Sequence, residues 1–380
     1  MTENKIVKNE KSRKYTNFSL VVFVGLLIVG ALTVSLVTNF LYFATYVDIN
    51  IYLFSTICLV AGYITSVSLY YFGKYLFGRI AGFRLINYTF WFITFLKGDK
   101  KIKTVSSSIE GLGCKVNMAP KDDAKANHVL YLLGGAIFSL PFFIAAVVLF
   151  AVLPTSAQYK YYVLFIFSFI PFIVVGNLLP VRMDDYNEGF ILRLIKKENS
   201  KDKWYRNLHQ LEALTNSNSE LKYYDISGDD LSSFDLDTLI YNYYYCLDHD
   251  EPTRANSICD TLIYNVQNII DTSKLYLGYA GKIYGLCIQK RYEEADRFLQ
   301  ETKPEYRNTI KSKRRYESLK VALFLDAYVE SNYDDYLARY FSKEKLAKHY
   351  IYLTRVEKEE KLVEHAIESI QIDHKDWYVK

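Results

Sequence analysis

Two groups of residues that include side chains capable of chemistry lie beside apolar stretches of this 380-residue chain. The first group, Tyr70, Tyr71 and Lys74, lies at the end of the apolar run 51–73. If this run is helical, Tyr70 and Lys74 share one face, because residues four apart are neighbours on a helix. The second group follows a later apolar run and consists of Asn177, Pro180, Asn187, Glu188 and Gly189. Together the two groups offer a metal position, an acid and base, or an ion pair.

The sequence around the first group resembles the zinc motif of the site-2 proteases, a family of intramembrane metalloproteases. The resemblance covers about residues 50–197, and its first part is the segment Leu76-Phe77-Gly78-Arg79-Ile80-Ala81-Gly82-Phe83. In the family, an H-E-x-x-H motif lies directly before a segment of this kind. Here the five motif positions read Tyr70-Tyr71-Phe72-Gly73-Lys74, so both histidines and the glutamate are replaced.

The second group resembles the second motif of the same family, N-x-x-P followed by N-D-G. Asn177 and Pro180 match the first part, and Asn187 and Gly189 match the outer positions of the second part. Glu188 stands where the family has an aspartate that binds zinc. The resemblance implies that the four matching residues bind substrate and that Glu188 is a vestigial metal position. A polar helix start at the membrane surface is the alternative interpretation.

The replaced residues argue against zinc catalysis. A zinc hydrolase needs several ligands, a base and an open coordination position. Tyrosine is a poor zinc ligand at neutral pH, and the cationic Lys74 would repel the ion. Lys74 is predicted to form an ion pair with Glu188, Asp184 or Asp185 that fills the vacated site, at a desolvation cost. We therefore expect no catalytic residue and no cofactor; zinc is expected only if unusual ligands replace the missing ones.

Four apolar runs are long enough to cross a bilayer, which takes about 20 residues for about 30 Å of hydrocarbon. They lie at 17–40, 51–73, 128–153 and 161–180. Basic residues cluster in the N-terminal tail and between the second and third runs, which predicts that both termini are cytoplasmic. The first run has no small-residue cleavage site after it and is interpreted as a retained helix. The sequence thus predicts a multi-pass protein of the cell membrane.

A β-hairpin is predicted at the membrane surface between the second and third runs. Arg84–Leu96 is rich in β-branched and aromatic residues, and Ile102–Ser108 can return as a second strand. In site-2 proteases a β-segment at this place pairs with an extended substrate, a mode that uses backbone hydrogen bonds. A surface hairpin without a ligand accounts for the sequence equally well. Gly111–Pro120 is predicted to form a glycine-rich turn.

The predicted fold is mainly α and has three parts: a basic tail (1–16), a membrane helix bundle with a surface hairpin (17–197) and a cytoplasmic helical domain (198–380). The net charge is +9 for residues 1–180 and −5 for residues 181–380. The basic part suits an anionic inner leaflet, whereas the acidic part argues against nucleic-acid binding. The five cysteines include no C-x-x-C pair, so no disulfide framework is implied.

The cytoplasmic part contains three segments of the form helix, polar turn, helix. Their turns recur about every 40 residues, a period typical of helical solenoids. Tyr292–Leu299 resembles the start of the second helix of a tetratricopeptide repeat, and a fourth pair is predicted at Leu346–Leu353 and Glu357–Ile370. Solenoids bind protein partners on concave surfaces. A compact helical bundle is the alternative.

These features predict a catalytically inactive, site-2-protease-like membrane protein. It would bind a membrane peptide or protein and recruit a cytosolic partner through its helical repeats. Two alternatives remain open at this point: an active zinc metallopeptidase with atypical ligands, and a transport or immunity protein that shares only the helix packing. Metal content distinguishes the inactive protein from the active metallopeptidase. Flux or resistance assays identify a transport or immunity protein.

The predicted topology is tested by labelling single introduced cysteines in intact cells. We expect labels applied from outside to reach positions 50 and 158, because these short loops carry almost no basic residues. Position 101, in the basic loop, should stay unlabelled until the cells are opened. The opposite pattern would contradict this topology.

Overall fold

The structure is a computed structural model. It describes residues 49–91, 93–97, 102–106, 114–154, 159–180, 186–198, 200–215, 220–226, 231–265, 272–311, 316–342 and 353–377. The basic tail and the predicted span 17–40 lie outside the described residues. The described chain divides into two compact units, one built from 49–85 and 114–200 and the other from 86–106 and 201–377.

The first unit is a bundle of apolar helices. Its helices are α1 (Ile49–Ile80), α2 (His128–Val152), α3 (Tyr159–Phe167), α4 (Ile170–Leu178) and α5 (Glu188–Glu198). α1 packs against α2, α3 and α4, and α5 packs against α2 and α4. The helix is interrupted between α3 and α4. Pro171 lies in the first turn of α4, where proline is tolerated because the N–H groups of that turn have no partner within the helix.

Two helical segments among the described residues are long and apolar enough to cross a membrane, His128–Val152 and Tyr159–Leu178. They correspond to the third and fourth predicted spans. The second predicted span lies within α1, which is not one of these two segments. The arrangement of four spans therefore stays a prediction.

A small sheet of four strands follows α1, in the order β3-β2-β1-β4. The strands are β1 (Phe83–Phe90), β2 (Ile93–Lys97), β3 (Ile102–Ser106) and β4 (Cys114–Pro120). β1 pairs antiparallel with β2, and β2 pairs antiparallel with β3.

The prediction of one strand over Arg84–Leu96 was wrong. The chain turns at Trp91, whose φ of 53° lies in the left-handed region and ends β1. Phe90 therefore pairs directly with Ile93 across a two-residue connection.

The prediction of a turn over Gly111–Pro120 was also wrong for Cys114–Pro120, which is β4, and residues 111–113 lie outside the described residues. Cys114, Val116 and Met118 are all buried. Burial at every second residue is the pattern of a strand with one face on a core.

The second unit is helical after the sheet residues. Its helices are α6 (Lys201–Thr215), α7 (Ser233–Asp248), α8 (Pro252–Tyr264), α9 (Thr272–Ile288), α10 (Tyr292–Glu301), α11 (Pro304–Lys311), α12 (Tyr316–Tyr328), α13 (Tyr333–Tyr340) and α14 (Leu353–Asp373), with a final 3₁₀ turn at Lys375–Trp377. The three predicted helix pairs are present as α7–α8, α9–α10 and α12–α13.

The three turns within these pairs each contain one residue with a positive φ. Asp250, Lys290 and Ser331 have φ values of 57°, 59° and 49°, and they lie 40 and 41 residues apart. Left-handed residues of this kind end a helix by redirecting its last backbone groups. In the first two turns the next residue donates its N–H to a carbonyl five positions back, Glu251 to Cys246 and Arg291 to Leu286. The repeat seen in the sequence is therefore also a repeat of the backbone.

The predicted fourth pair is corrected by α14. Leu353 and the whole of Glu357–Ile370 belong to this one helix, and residues 346–352 lie outside the described residues. α14 packs against α12 and also against α6, the first helix of the unit. Helix propensity predicted the helix but not its tertiary partners.

The cysteines of the second unit are buried, as expected of small apolar residues. Burial raises the pKa of the Cys287 thiol to about 12 and that of the Cys246 thiol to about 11. The pKa of Cys259 is raised further by the same cause. The reactive thiolate form is therefore scarce at neutral pH, which disfavours nucleophilic chemistry at these three residues.

Candidate functional site

The two polar groups singled out in the sequence meet in the first unit. Lys74 lies on α1, and Glu188 is the first residue of α5. The Lys74 ammonium donates a hydrogen bond to Glu188 Oε1, and the two residues are only 8% and 4% exposed. The predicted ion pair is therefore confirmed with Glu188 as the acid, while Asp184 and Asp185 lie outside the described residues.

Asn187 fixes the start of the helix that carries Glu188. Its Oδ1 accepts a hydrogen bond from the backbone N–H of Phe190 at 2.8 Å, which caps α5. Its Nδ2 donates to the carbonyls of Leu179 and Gly176 at 2.7 and 3.2 Å. One side chain thus ties the end of α4 to the start of α5, and the helix N-terminus favours the Glu188 carboxylate.

Gly189 permits α5 to approach α4 more closely than any other residue would. A Cβ atom at this position would lie 1.9 Å from the carbonyl oxygen of Leu178, a backbone atom that has little room to move. The residues on either side of Glu188 thus have structural roles: Asn187 caps α5, and Gly189 allows its close approach to α4.

Tyr70 lies one helical turn before Lys74 and is fully buried. Its ring packs on Gly135 of α2, where a Cβ would come within 2.8 Å of the ring atoms. It also makes an edge contact with Tyr71, with ring centroids 5.4 Å apart. Small residues in α2 thus let the two helices approach closely enough to enclose Tyr70.

Two polar atoms at this site have no hydrogen-bond partner among the described residues: Glu188 Oε2 and the Tyr70 hydroxyl. Both residues are buried, and leaving such atoms unpaired costs about 1–3 kcal/mol each. The Glu188 carboxylate is close enough to Tyr70 and Tyr71 to interact electrostatically with both. One buried carboxylate oxygen and one buried hydroxyl at the site thus have hydrogen-bonding capacity that the described residues leave unused.

Tyr131 of α2 completes the surroundings of the lysine and was missed by the sequence reasoning. Its ring centroid lies 5.3 Å from Lys74 Nζ, within the range of a cation–π contact. Its hydroxyl donates to the carbonyl of Val116 in β4 at 3.2 Å. The signal that could have identified it is its position four residues before Gly135, on the same face of α2.

The remaining predicted residues are less closely involved. Asn177 is half-buried, and its Nδ2 donates to the carbonyl of Ile173 in its own helix at 2.8 Å. Pro180 is exposed beyond the end of α4. Tyr71 is half-buried beside Tyr70. The structure thus joins Lys74 to Glu188 but does not link Asn177 or Pro180 to this pair by a hydrogen bond among the described residues.

The site residues that the structure describes do not fit a zinc ion. Within the part of the chain that the structure describes, no three His, Cys, Asp or Glu side chains lie close enough together to hold a metal. The Glu188 carboxylate is held by an ammonium group, and zinc sites in proteins use three or four protein ligands. The arrangement can bind polar groups through hydrogen bonds and charge.

No family model matches the sequence, and neither the curated proteins nor the solved structures include a match. The interpretation of the site therefore rests on its residues and their geometry.

The ion pair yields a prediction about stability. Changing Lys74 to Met, or Glu188 to Leu, should destabilise the protein by about 3–5 kcal/mol, because each change leaves one charge buried without its partner. The double variant Lys74→Met/Glu188→Leu should recover much of this loss. Thermal unfolding in detergent micelles measures all three variants.

Lys125→Met is the matched control, since the Lys125–Asp122 pair is exposed and a pair of this kind contributes about 0–1 kcal/mol. Single variants as stable as the control would contradict a buried pair. A double variant no better than the singles would show that the two charges are not coupled.

Proposed function

We propose that this protein is a site-2-protease-like membrane protein that has lost catalysis and binds a membrane peptide or protein. The observation that carries the proposal is the buried Lys74–Glu188 pair. It lies where the resemblance puts the last histidine of the zinc motif and the third metal ligand. An ammonium group at this position balances the carboxylate charge without providing a Lewis acid.

Exposed apolar side chains support the placement in a membrane. Several large apolar residues of α1 and α2 have exposed fractions of 41–76% in the isolated chain: Ile57, Val60, Ile64, Ile144, Val148 and Val152. A water-soluble protein rarely leaves faces of this kind uncovered, whereas lipid covers them without a partner protein. Multi-pass insertion into the cell membrane, with both termini cytoplasmic, is part of the proposal.

The loss of catalysis follows from the chemistry of the replaced positions. Water activation by zinc needs a metal site and a general base together. Tyr71 stands at the position of the base and cannot supply a carboxylate. Glu188 carries a carboxylate at this site, but one of its oxygens already accepts a hydrogen bond from Lys74.

Binding does not require the lost groups. A peptide backbone carries an N–H donor and a carbonyl acceptor on each residue. An N–H group placed near Glu188 Oε2 and a carbonyl placed near the Tyr70 hydroxyl would satisfy both unpaired atoms. The edge strands of the small sheet offer a second mode, because strand addition needs only backbone groups on an open edge.

The second unit is proposed to recruit a cytosolic partner. Its three helix pairs with equivalent turns are typical of helical repeat domains, whose units stack into binding surfaces. The resemblance of Tyr292–Leu299 to a tetratricopeptide repeat agrees with this role. The alternatives, an active zinc metallopeptidase and a transport or immunity protein, lack a comparable supporting observation.

Photo-crosslinking tests the proposed binding. A photoreactive amino acid at position 71 should capture a membrane polypeptide in cells, because the Tyr71 ring contacts the ring of Tyr70, whose hydroxyl has no partner among the described residues. Adding Tyr70→Phe should lower the yield several-fold by removing that hydroxyl. Tyr75→Phe, a half-buried tyrosine farther along the same helix, is the matched control and should leave the yield unchanged.

The captured polypeptide should keep its full length, with or without a metal chelator. A crosslinking yield that is unchanged by Tyr70→Phe would contradict binding through this hydroxyl. Captured fragments that disappear when a chelator is added would identify an active metallopeptidase.

A further inference from the structure

The last helix of the second unit, α14, packs on α12 and α6 and is hydrogen-bonded to the first helix of each of the three pairs. A tyrosine from each of these helices donates a hydrogen bond to α14: Tyr244 of α7 to Glu359 Oε1 at 2.8 Å, Tyr284 of α9 to the carbonyl of Leu362 at 3.1 Å, and Tyr328 of α12 to Asp373 Oδ2 at 2.8 Å. The bonds from α7 and α9 lie in the first half of α14, and the bond from the α12 tyrosine lies at its end. We call the surface formed by α7, α9 and α12 the tyrosine face.

α14 presents an amphipathic stripe to this face. Its buried apolar residues are Val363, Ala366, Ile367 and Ile370, which belong to the same core cluster as residues of α9 and α12. Their spacing of three and four places them on one side of the helix. The other side carries exposed residues such as Glu368 and Ile372. This is how an amphipathic helix is bound in a groove, through residues spaced like i, i+3, i+4 and i+7.

A buried lysine requires an acidic residue at the start of this stripe. Lys320 of α12 donates to Glu359 Oε2 at 2.7 Å, and both side chains are completely buried. The lysine also lies 4.9 Å from the centre of the Tyr284 ring. With Tyr244 on its other oxygen, the Glu359 carboxylate has both oxygens satisfied. Because two charges must lose their hydration, such a pair adds little net stability but strongly disfavours a helix that lacks the acid.

We propose that the tyrosine face is a helix-binding groove and that α14 is its resident ligand. The external ligand would be an acidic amphipathic helix of a cytosolic protein, with a Glu followed by apolar residues at positions +4, +7, +8 and +11. Such a helix would replace α14 and reproduce its pair with Lys320. This inference rests on the proposed recruiting role and adds that the partner must compete with a segment of this same chain.

An exchange experiment on the full-length protein in detergent tests the groove. A protease recognition sequence is inserted among residues 343–352, so that α14 can be separated from the folded chain by cleavage. A fluorescent peptide of residues 353–377 is then added, and its binding is followed by fluorescence anisotropy. We expect saturable exchange with the resident α14 after cleavage and at least tenfold weaker exchange before it.

The peptide carrying Glu359→Gln should bind at least tenfold more weakly, because it leaves the Lys320 ammonium without its carboxylate. Glu368→Gln is the matched control and should bind like the natural peptide, since Glu368 is exposed. Absence of exchange, loss of helical circular dichroism on cleavage, or equal binding of both variants would overturn the proposal. The assay contains no membrane substrate, so it can succeed where crosslinking at position 71 fails, and the reverse.

Discussion

The ion pair between Lys74 and Glu188 is the constraint on which the first unit depends. Each charge alone would be strongly unfavourable in this apolar bundle, so α1 and α5 must both be in place for either residue to be buried. Asn187 holds the start of α5 against the end of α4, and Gly189 lets the two come close. The residues around the pair thus serve first to make one charged contact possible between segments more than a hundred residues apart.

The second unit also contains a buried lysine–glutamate ion pair. There the Lys320–Glu359 pair joins α12 to a helix near the C-terminus, again with both charges buried. In each unit a lysine of one helix pairs with a glutamate of a helix later in the chain. A pair of this kind contributes more to choosing a partner than to net stability. That property suits a protein proposed to bind polypeptides rather than to cut them.

Some of this arrangement could be predicted from the sequence because local patterns determine it. The turns at Asp250, Lys290 and Ser331 follow from short polar breaks between helical stretches. Opposite charges in apolar surroundings predicted an ion pair for Lys74 with one of three nearby acids, and the structure pairs it with Glu188. The break at Trp91 was not predictable, because an aromatic residue rarely adopts positive φ. The helices against which α14 packs and the position of Tyr131 beside Lys74 depend on tertiary packing, which no local pattern specifies.

The zinc content of purified protein, measured by mass spectrometry, tests the central claim that the ion pair stands where a metal site would be. The natural protein should contain far less than one zinc per chain. The variant Tyr70→His/Tyr71→Glu/Lys74→His removes the ammonium and places two histidines beside Glu188, so it should bind about one zinc, and Glu188→Gln in that variant should abolish the gain. About one zinc in the natural protein, or no gain in the variant, would contradict the account.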